Sequence, residues 1–326
     1  MKTIRTLFVG LAALAVTLPA GAAPRVVATI LPIHALVANV MEGVGQPHLL
    51  LPPSISEHTA ALKPSDAKVL AEADVVVWVG DGIETVLAKP IRNSGPRTTV
   101  VTLSRDAGIS LLRNREGGLW EEHVEDHAGK HGKASGKRIV RSHDHGSRPA
   151  HVEENQHIWL DPANARQIVR HVAEVLARTD PANAVRYRSN ASAEENRLAD
   201  LDRELASLLL PAQGVPFIVF HDAFPYFESR YGLNAVGSIT VSPEQKSGPR
   251  RMTEIRNKLT ATRSICVFGE PQYDPSLLRS LIEGTSARLE TLDPIGIDLA
   301  PGPGAYASLM RNLGRAFRDC LAGGAS

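Results

Sequence analysis

Hydrophobic positions along this chain fall into short unbroken runs separated by stretches of helical period. Arg25 to Leu31 is a β-branched run that predicts a strand, and a helical pattern follows from near Pro32 to Gly43. The unit recurs as Pro47 to Leu51 before the loop Pro52 to Lys63, then a helix from near Pro64. After it come the run Asp74 to Gly80, a helical stretch to Lys89, and Thr98 to Leu103. Continuous apolar strands between helical patterns predict a parallel sheet covered on both faces. The second half restarts the alternation with Val215 to Phe220, a helix through Asp222 to Tyr231, Ala235 to Thr240, a helix from Pro249 to Thr262, and Ser264 to Gly269. A helix near Pro275 to Glu283, a strand from Arg288 to Leu292 and a final helix from Pro303 to Leu321 complete it.

Between the halves, Asp161-Pro162 is a helix start, because Asp caps free amides and Pro suits the first helical position. That helix runs to about Arg178, and Asp180-Pro181 repeats the device. Tyr187, Ala191, Glu194, Leu198, Leu201, Leu205 and Leu208 then fall on one face until Pro211. About thirty residues of helix span roughly 45 Å. The expectation is α/β: two Rossmann-like lobes with parallel sheets, joined by this long rigid helix as connector. The boundaries are 1–22 for a signal peptide, 23–180 for the first lobe, 181–210 for the linker helix and 211–326 for the second lobe.

The N-terminus indicates the compartment. Lys2 and Arg5 precede an apolar run from Leu7 to Leu18, and Ala20-Gly21-Ala22 closes it, which is a signal-peptide pattern cleaved after Ala22. The run is shorter than the roughly 20 residues of a membrane span, and no Cys near the cleavage site offers a lipid anchor. The roughly 300 residues that remain of 326 exceed what one core usually organises, in keeping with two domains. With 36 basic against 35 acidic residues, nothing points to nucleic acid or an anionic membrane as partner. Cys266 and Cys320, the two cysteines of an exported chain, are expected as a disulfide worth about 4 kcal/mol in the chain-entropy model. It would staple the last helix to a central strand of the second lobe.

Candidate chemistry is concentrated in histidine. Seven of the 12 histidines, His123, His127, His131, His143, His145, His151 and His157, lie between Glu121 and Asp161. Neutral imidazole is the commonest protein ligand for zinc, copper and nickel. Gly, Lys, Ser and Glu fill the gaps in 121–156 without strand or helix period, so this stretch reads as a solvated loop that attracts metal. Ligands of open α/β sheets bind beyond the carboxyl ends of strands. Three histidines stand there: His58 after the strand ending at Leu51, His157 just before the helix opened by Asp161-Pro162, and His221 directly after Phe220.

The same residues carry a resemblance. Leu50-Leu51-Pro52, Ser56-Glu57-His58, Leu62-Lys63-Pro64-Ser65-Asp66 and Val76-Val77-Trp78-Val79-Gly80 resemble the first signature of the zinc-binding periplasmic proteins that feed ABC importers, the ZnuA-like group. His157-Ile158-Trp159-Leu160-Asp161-Pro162 is similar to the second, and Phe220-His221-Asp222-Ala223-Phe224-Pro225 to the third. Cys266-Val267-Phe268-Gly269-Glu270-Pro271-Gln272 and Leu292-Asp293-Pro294-Ile295-Gly296 resemble the last two. The resemblance implies one Zn2+ in the cleft between the lobes, held by His58, His157 and His221 and delivered from the periplasm to an ABC permease. It further implies that the long histidine loop and an imidazole at 221 favour zinc over manganese, in keeping with ligand softness.

The fourth ligand is left between Asp293, which matches the closing acid of manganese relatives, and Glu57, acting through a water. Asp222 reads as an outer-shell orienter, His34 as structural, and His48 and His171 as surface residues. The carrier is expected to be a monomer and not an enzyme. A manganese or other divalent-metal carrier is the nearer alternative. A zinc hydrolase with Glu57 as general base is the further one, although no His-Glu-x-x-His helix, nucleophile elbow or phosphate loop is present. An adhesin, a third class, would require a surface anchor, and none is read in the sequence. His58 and His157 are expected from the first lobe and His221 from the second, with local loop reordering rather than hinge closure releasing the ion.

Overall fold

The apolar runs fold as parallel strands in a computed structural model that describes residues 22–58, 60–115, 118–120, 154–240, 248–263 and 265–324. The predicted signal peptide up to Gly21 lies outside the described residues, as do His123, His127, His131, His143, His145 and His151. Strands β1 (Val26–Ala28), β2 (His48–Leu49), β3 (Val75–Trp78) and β4 (Thr99–Thr102) form one sheet in the order β2-β1-β3-β4, every pair parallel. A short antiparallel pair, β5 (Leu112–Arg113) with β6 (Glu154–Asn155), brackets the histidine tract. Strands β7 (Pro216–Val219), β8 (Asn234–Ser238), β9 (Cys266–Gly269) and β10 (Arg288–Thr291) make a second parallel sheet, ordered β10-β9-β7-β8. Val75–Trp78 and Cys266–Gly269 are buried throughout, as unbroken apolar strands covered on both faces must be.

The helices supply those covers. In chain order they are α1 (Leu31–Val40), α2 (Pro64–Glu72), α3 (Ala88–Arg92), α4 (Leu103–Asp106), α5 (Pro162–Thr179), α6 (Ala184–Leu209), α7 (Pro225–Tyr231), α8 (Pro249–Thr262), α9 (Ser276–Ile282) and α10 (Ala305–Leu321). The α5 start follows the expected chemistry: the Asp161 side chain accepts the Ala163 amide at 2.8 Å and Pro162 opens the helix. The α6 start does not. Asp180 makes no cap there and accepts instead from Asn183 Nδ2 at 2.7 Å and the Tyr187 hydroxyl at 2.9 Å. Among the described residues no helix is long and apolar enough to cross a membrane.

The long helix is more than a connector. Tyr187, Ala191, Glu194, Leu198, Leu201 and Leu205 are buried as predicted, and α6 packs against α1, α5 and α10. One continuous core runs from Val26 through Leu201 to Phe317 and is shared by the first sheet and one face of the second, while the other face of the second sheet, with Ile218 and Val267, packs in a smaller separate cluster with Ile255 and Leu278. The α6–α10 approach is close enough that a Cβ on Gly314 would lie 2.6 Å from Leu205 Cδ2. On the second sheet the rings of Phe217, Phe224, Phe227 and Phe268 surround Phe317 of α10, with centroids 5.0–5.9 Å away. The disulfide between Cys266 and Cys320, residues 54 apart in sequence, staples α10 to β9.

Candidate metal centre

Carboxyl ends of strands from both sheets point to one cavity of about 220 Å³, and His58, His157 and His221 line it. Each arrives by a different local route. Beyond β2 the ladder continues for two residues, with the Leu50 and Leu51 amides donating to Ala28 and Thr29 carbonyls at 2.9 Å, before the chain leaves the sheet toward His58. The His58 amide donates to Ser56 Oγ at 3.3 Å. His157 precedes a short 3-10 turn, Ile158–Leu160, whose three side chains are fully buried. His221 stands two residues past the end of β7, after Phe220.

Two of the rings are oriented through their Nδ1 atoms. Asn155 Oδ1 accepts both the His157 amide and His157 Nδ1, each at 3.0 Å. Glu270, just past the end of β9, takes His221 Nδ1 in a short contact. Engaging Nδ1 in this way leaves Nε2 as the nitrogen that each ring presents to the other. The two Nε2 atoms stand 3.2 Å apart. Zinc–imidazole bonds of about 2.0–2.1 Å in tetrahedral geometry set two such nitrogens about 3.3 Å apart. Nitrogens of all three histidines lie within 4.8 Å of one another, and His58 Nε2 is buried without a hydrogen-bond partner. An unpartnered buried lone pair facing two others is costly unless a cation fills the space between them.

Electrostatics fit the same arrangement. Burial pushes His58 down to about 3, with the His221 charge adding to it, and burial also holds His157 well below its ordinary value. Both rings are thus neutral and ready to donate. His221 meets the same burial penalty, but the Glu270 carboxylate outweighs it, and its pKa is raised. Glu57 is 3 % exposed, its Oε1 lies 3.9 Å from His58 Nε2 without a hydrogen bond, and burial pushes its carboxyl up to about 7.

The other expected residues take other places. Asp293 is occupied as a turn cap: Oδ1 accepts the Ile295 and Gly296 amides at 3.1 and 2.8 Å, and Oδ2 the Ile297 amide at 2.6 Å. Asp222 gives its carboxylate to Arg115. His34 is buried with Nε2 3.1 Å from the Pro47 carbonyl oxygen, a structural role, and His48 is exposed. His171 is half-buried in α5 rather than a surface residue. Glu270 and Asn155 were not among the expected site residues. Glu270 stands beyond a strand end next to the strand that carries His221, the same placement that singled out the histidines.

The lobes contribute unequally. The segment around His157 belongs to the first half by sequence, yet the second half holds it. Trp159 Nε1 donates to the Pro294 carbonyl at 2.8 Å, the Tyr306 hydroxyl donates to the Trp159 carbonyl at 2.8 Å, and the Tyr226 hydroxyl to the Asn155 carbonyl at 2.7 Å. Trp120 and Glu154, the described residues that flank the histidine tract, both line the cavity.

Comparison with known proteins places this geometry. A family model described as zinc-uptake complex component A, periplasmic, matches residues 26–320. A curated protein of Brucella abortus (strain 2308), the high-affinity zinc uptake system protein ZnuA, is 41 % identical over 335 aligned positions that cover 98 % of this chain and 99 % of the relative. The protein of the same name from Paracoccus denitrificans (strain Pd 1222) is 35 % identical, covering 93 % and 94 %. Among solved structures, the periplasmic zinc-binding protein TroA of Treponema pallidum shares the fold at a TM-score of 0.74 and 20 % identity, over 92 % of this chain and 99 % of that one.

Proposed function

Because the chain belongs to the family of periplasmic zinc-uptake component A proteins, we propose that it captures Zn2+ in the periplasm and delivers it to the membrane permease of an ABC importer. His58, His157 and His221 hold the ion. The observation that carries this reading is the convergence of three imidazoles, two of them oriented through Nδ1 by Asn155 and Glu270, on the unpartnered Nε2 of the third. A set of neutral imidazoles suits zinc better than manganese, which prefers carboxylate and carbonyl oxygen. Glu57 completes the set, directly or through a water, since both Asp293 oxygens are engaged by main-chain amides.

Export follows the N-terminal signal, with cleavage after Ala22, and the carrier acts as a monomer without catalysis. The continuous core around α6 supports release by local movement of the loops about the cavity, because rotating one sheet against the other would tear shared packing. The histidine tract would collect ions close to the cavity mouth. A zinc hydrolase is the second reading, favoured by the buried Glu57 carboxyl beside His58, a placement open to a general base.

Metal content of protein purified without chelator, followed by an anomalous-scattering map at the zinc edge, tests the proposal. One strong peak between the three rings is expected, and a peak elsewhere overturns the assignment. Ester, amide or phosphate-ester turnover that tracks zinc loading and disappears in His221→Ala would replace the carrier reading with the hydrolase.

A further inference from the structure

Arg115 lies ahead of the histidine tract in a polar stretch and lines the same cavity as the three histidines, its hydrogen bonds going to carboxylates rather than to their rings. Its guanidinium nevertheless reaches residues of the second half more than a hundred positions away. Arg115 Nε is 3.0 Å from both carboxylate oxygens of Asp222, and its Nη2 closes a further short contact there. Nη1 meets Glu228 Oε2 at 2.7 Å, Nη2 meets Glu228 Oε1 at 3.1 Å, and the guanidinium carbon sits 3.7 Å from the Trp120 ring centroid. Glu228 is buried, and Arg115 is largely so. Leu119, four residues on, packs against Gly237 so closely that a Cβ there would lie 2.7 Å from Leu119 Cβ, and its carbonyl accepts from Arg251.

The partners of Arg115 are continuous with the two oriented imidazoles. Asp222 follows His221, and its carbonyl accepts Asn155 Nδ2 at 2.7 Å. The other end of the same amide, Asn155 Oδ1, holds the His157 ring. Asn155 lies on β6 opposite Leu112 of β5, and the Tyr226 hydroxyl joins the pair by accepting the Leu112 amide at 3.0 Å while donating to the Asn155 carbonyl. Arg115, two residues past β5, closes the loop of contacts onto Asp222 and Glu228. Severing it leaves the short β5–β6 pair tied to the second half chiefly by Tyr226, Asn155 and the Leu119 seat.

We propose that Arg115 is a positioning residue for the metal site: it clamps the β5–β6 strap that orients His157 onto the segment that carries His221, and so sets the spacing of the two Nε2 donors. A planar guanidinium can engage two carboxylates at once, whereas an ammonium engages them as a point charge. The clamp rests on the zinc-carrier reading.

The test compares wild type, Arg115→Lys, Glu228→Gln and His221→Ala. It measures zinc dissociation into excess chelator, the visible absorption of the Co2+-loaded protein, and thermal unfolding of the metal-free form. Outer-shell partners typically change metal affinity about 10–100-fold, so Arg115→Lys is expected to release zinc about tenfold faster and to alter the cobalt bands. Glu228→Gln, which keeps the Asp222 contact and the side-chain volume, should shift the same two signals in the same direction by a smaller factor. It stands in should Arg115→Lys fail to fold. A purely structural arginine would lower the unfolding temperature while leaving the off-rate and cobalt bands as in wild type, and that result overturns the clamp. Wild type and His221→Ala binding zinc alike would instead overturn the carrier reading on which it stands.

Discussion

His157 and His221 reach the cavity with their second ring nitrogens already held, while His58 arrives on a loop with its Nε2 buried and unpartnered. The contrast extends outward. Behind the braced pair stand Asn155, Glu270, Asp222, Arg115 and Tyr226, linked across both halves of the chain. Behind His58 stand a 3.3 Å main-chain contact to Ser56 and the buried Glu57, whose Oε1 has no hydrogen-bond partner. On the proposed carrier reading, the held pair would lose little freedom when the ion enters, and the loop would complete the coordination. On that reading, release would need only the loop to move.

The largest test of this asymmetry removes the ligands one at a time. His157→Ala and His221→Ala should each lower zinc affinity by more than the 10–100-fold typical of an outer-shell change, because each deletes half of the braced pair. His58→Ala should lose less, since the pair persists and water can take the third position. Competition titration against a chelator of known affinity ranks the three. An equal or greater loss in His58→Ala would break the comparison and make the loop the anchor of the site.

Acidity gives the next largest effect and sharpens the contrast within the pair. Ligands must be neutral to bind, and burial already keeps His58 and His157 unprotonated through the mildly acidic range. His221 differs, because Glu270 raises its pKa. Below that raised value a proton sits on His221 in the metal-free protein and zinc must displace it, so affinity weakens as pH falls. One displaced proton corresponds to about tenfold per pH unit, so His221 alone accounts for at most about a hundredfold between pH 7.5 and 5.5, and a directly bound Glu57, whose carboxyl burial pushes up to about 7, adds up to one further proton. Glu270→Gln should flatten the profile while weakening zinc binding at pH 7.5. A slope of three or more protons would show that burial does not hold the other rings neutral.

Much of this was legible in the chain. Unbroken apolar runs announced two parallel sheets, and the rule that ligands gather at strand ends found His58 and His221 without any metal motif. Asp161-Pro162 marked the helix that follows His157. Other features depended on which strands become neighbours. Glu270 is 49 residues from His221 and reaches it only because β9 lies beside β7. Arg115 sits in a segment without period, and its partners are 107 and 113 residues away. Asp293 had the chemistry of a ligand, but three nearby amides claim its oxygens, which is a matter of turn geometry rather than residue type. The long helix showed its apolar face plainly, yet periodicity does not say what covers a face, and α1, α5 and α10 make it a shared layer rather than a bare strut.

The smallest expected effect concerns the region that dominates the sequence by histidine count. Deleting Val124 to Ala150 removes His127, His131, His143 and His145, with His123 and His151 left at the edges. It spares Arg115, Trp120, Glu154, Asn155 and every residue of the braced pair. The affinity of the tight site should therefore stay within about twofold of the full chain, because the outer-shell contacts that govern it are untouched. Calorimetry should show the loss of weaker additional sites with one tight site retained, and the rate of zinc capture at low concentration should fall, since the flanking residues Trp120 and Glu154 line the cavity. Loss of the tight site on deletion would mean that the tract supplies a ligand, and the division between a braced core site and an accessory collector would have to be abandoned.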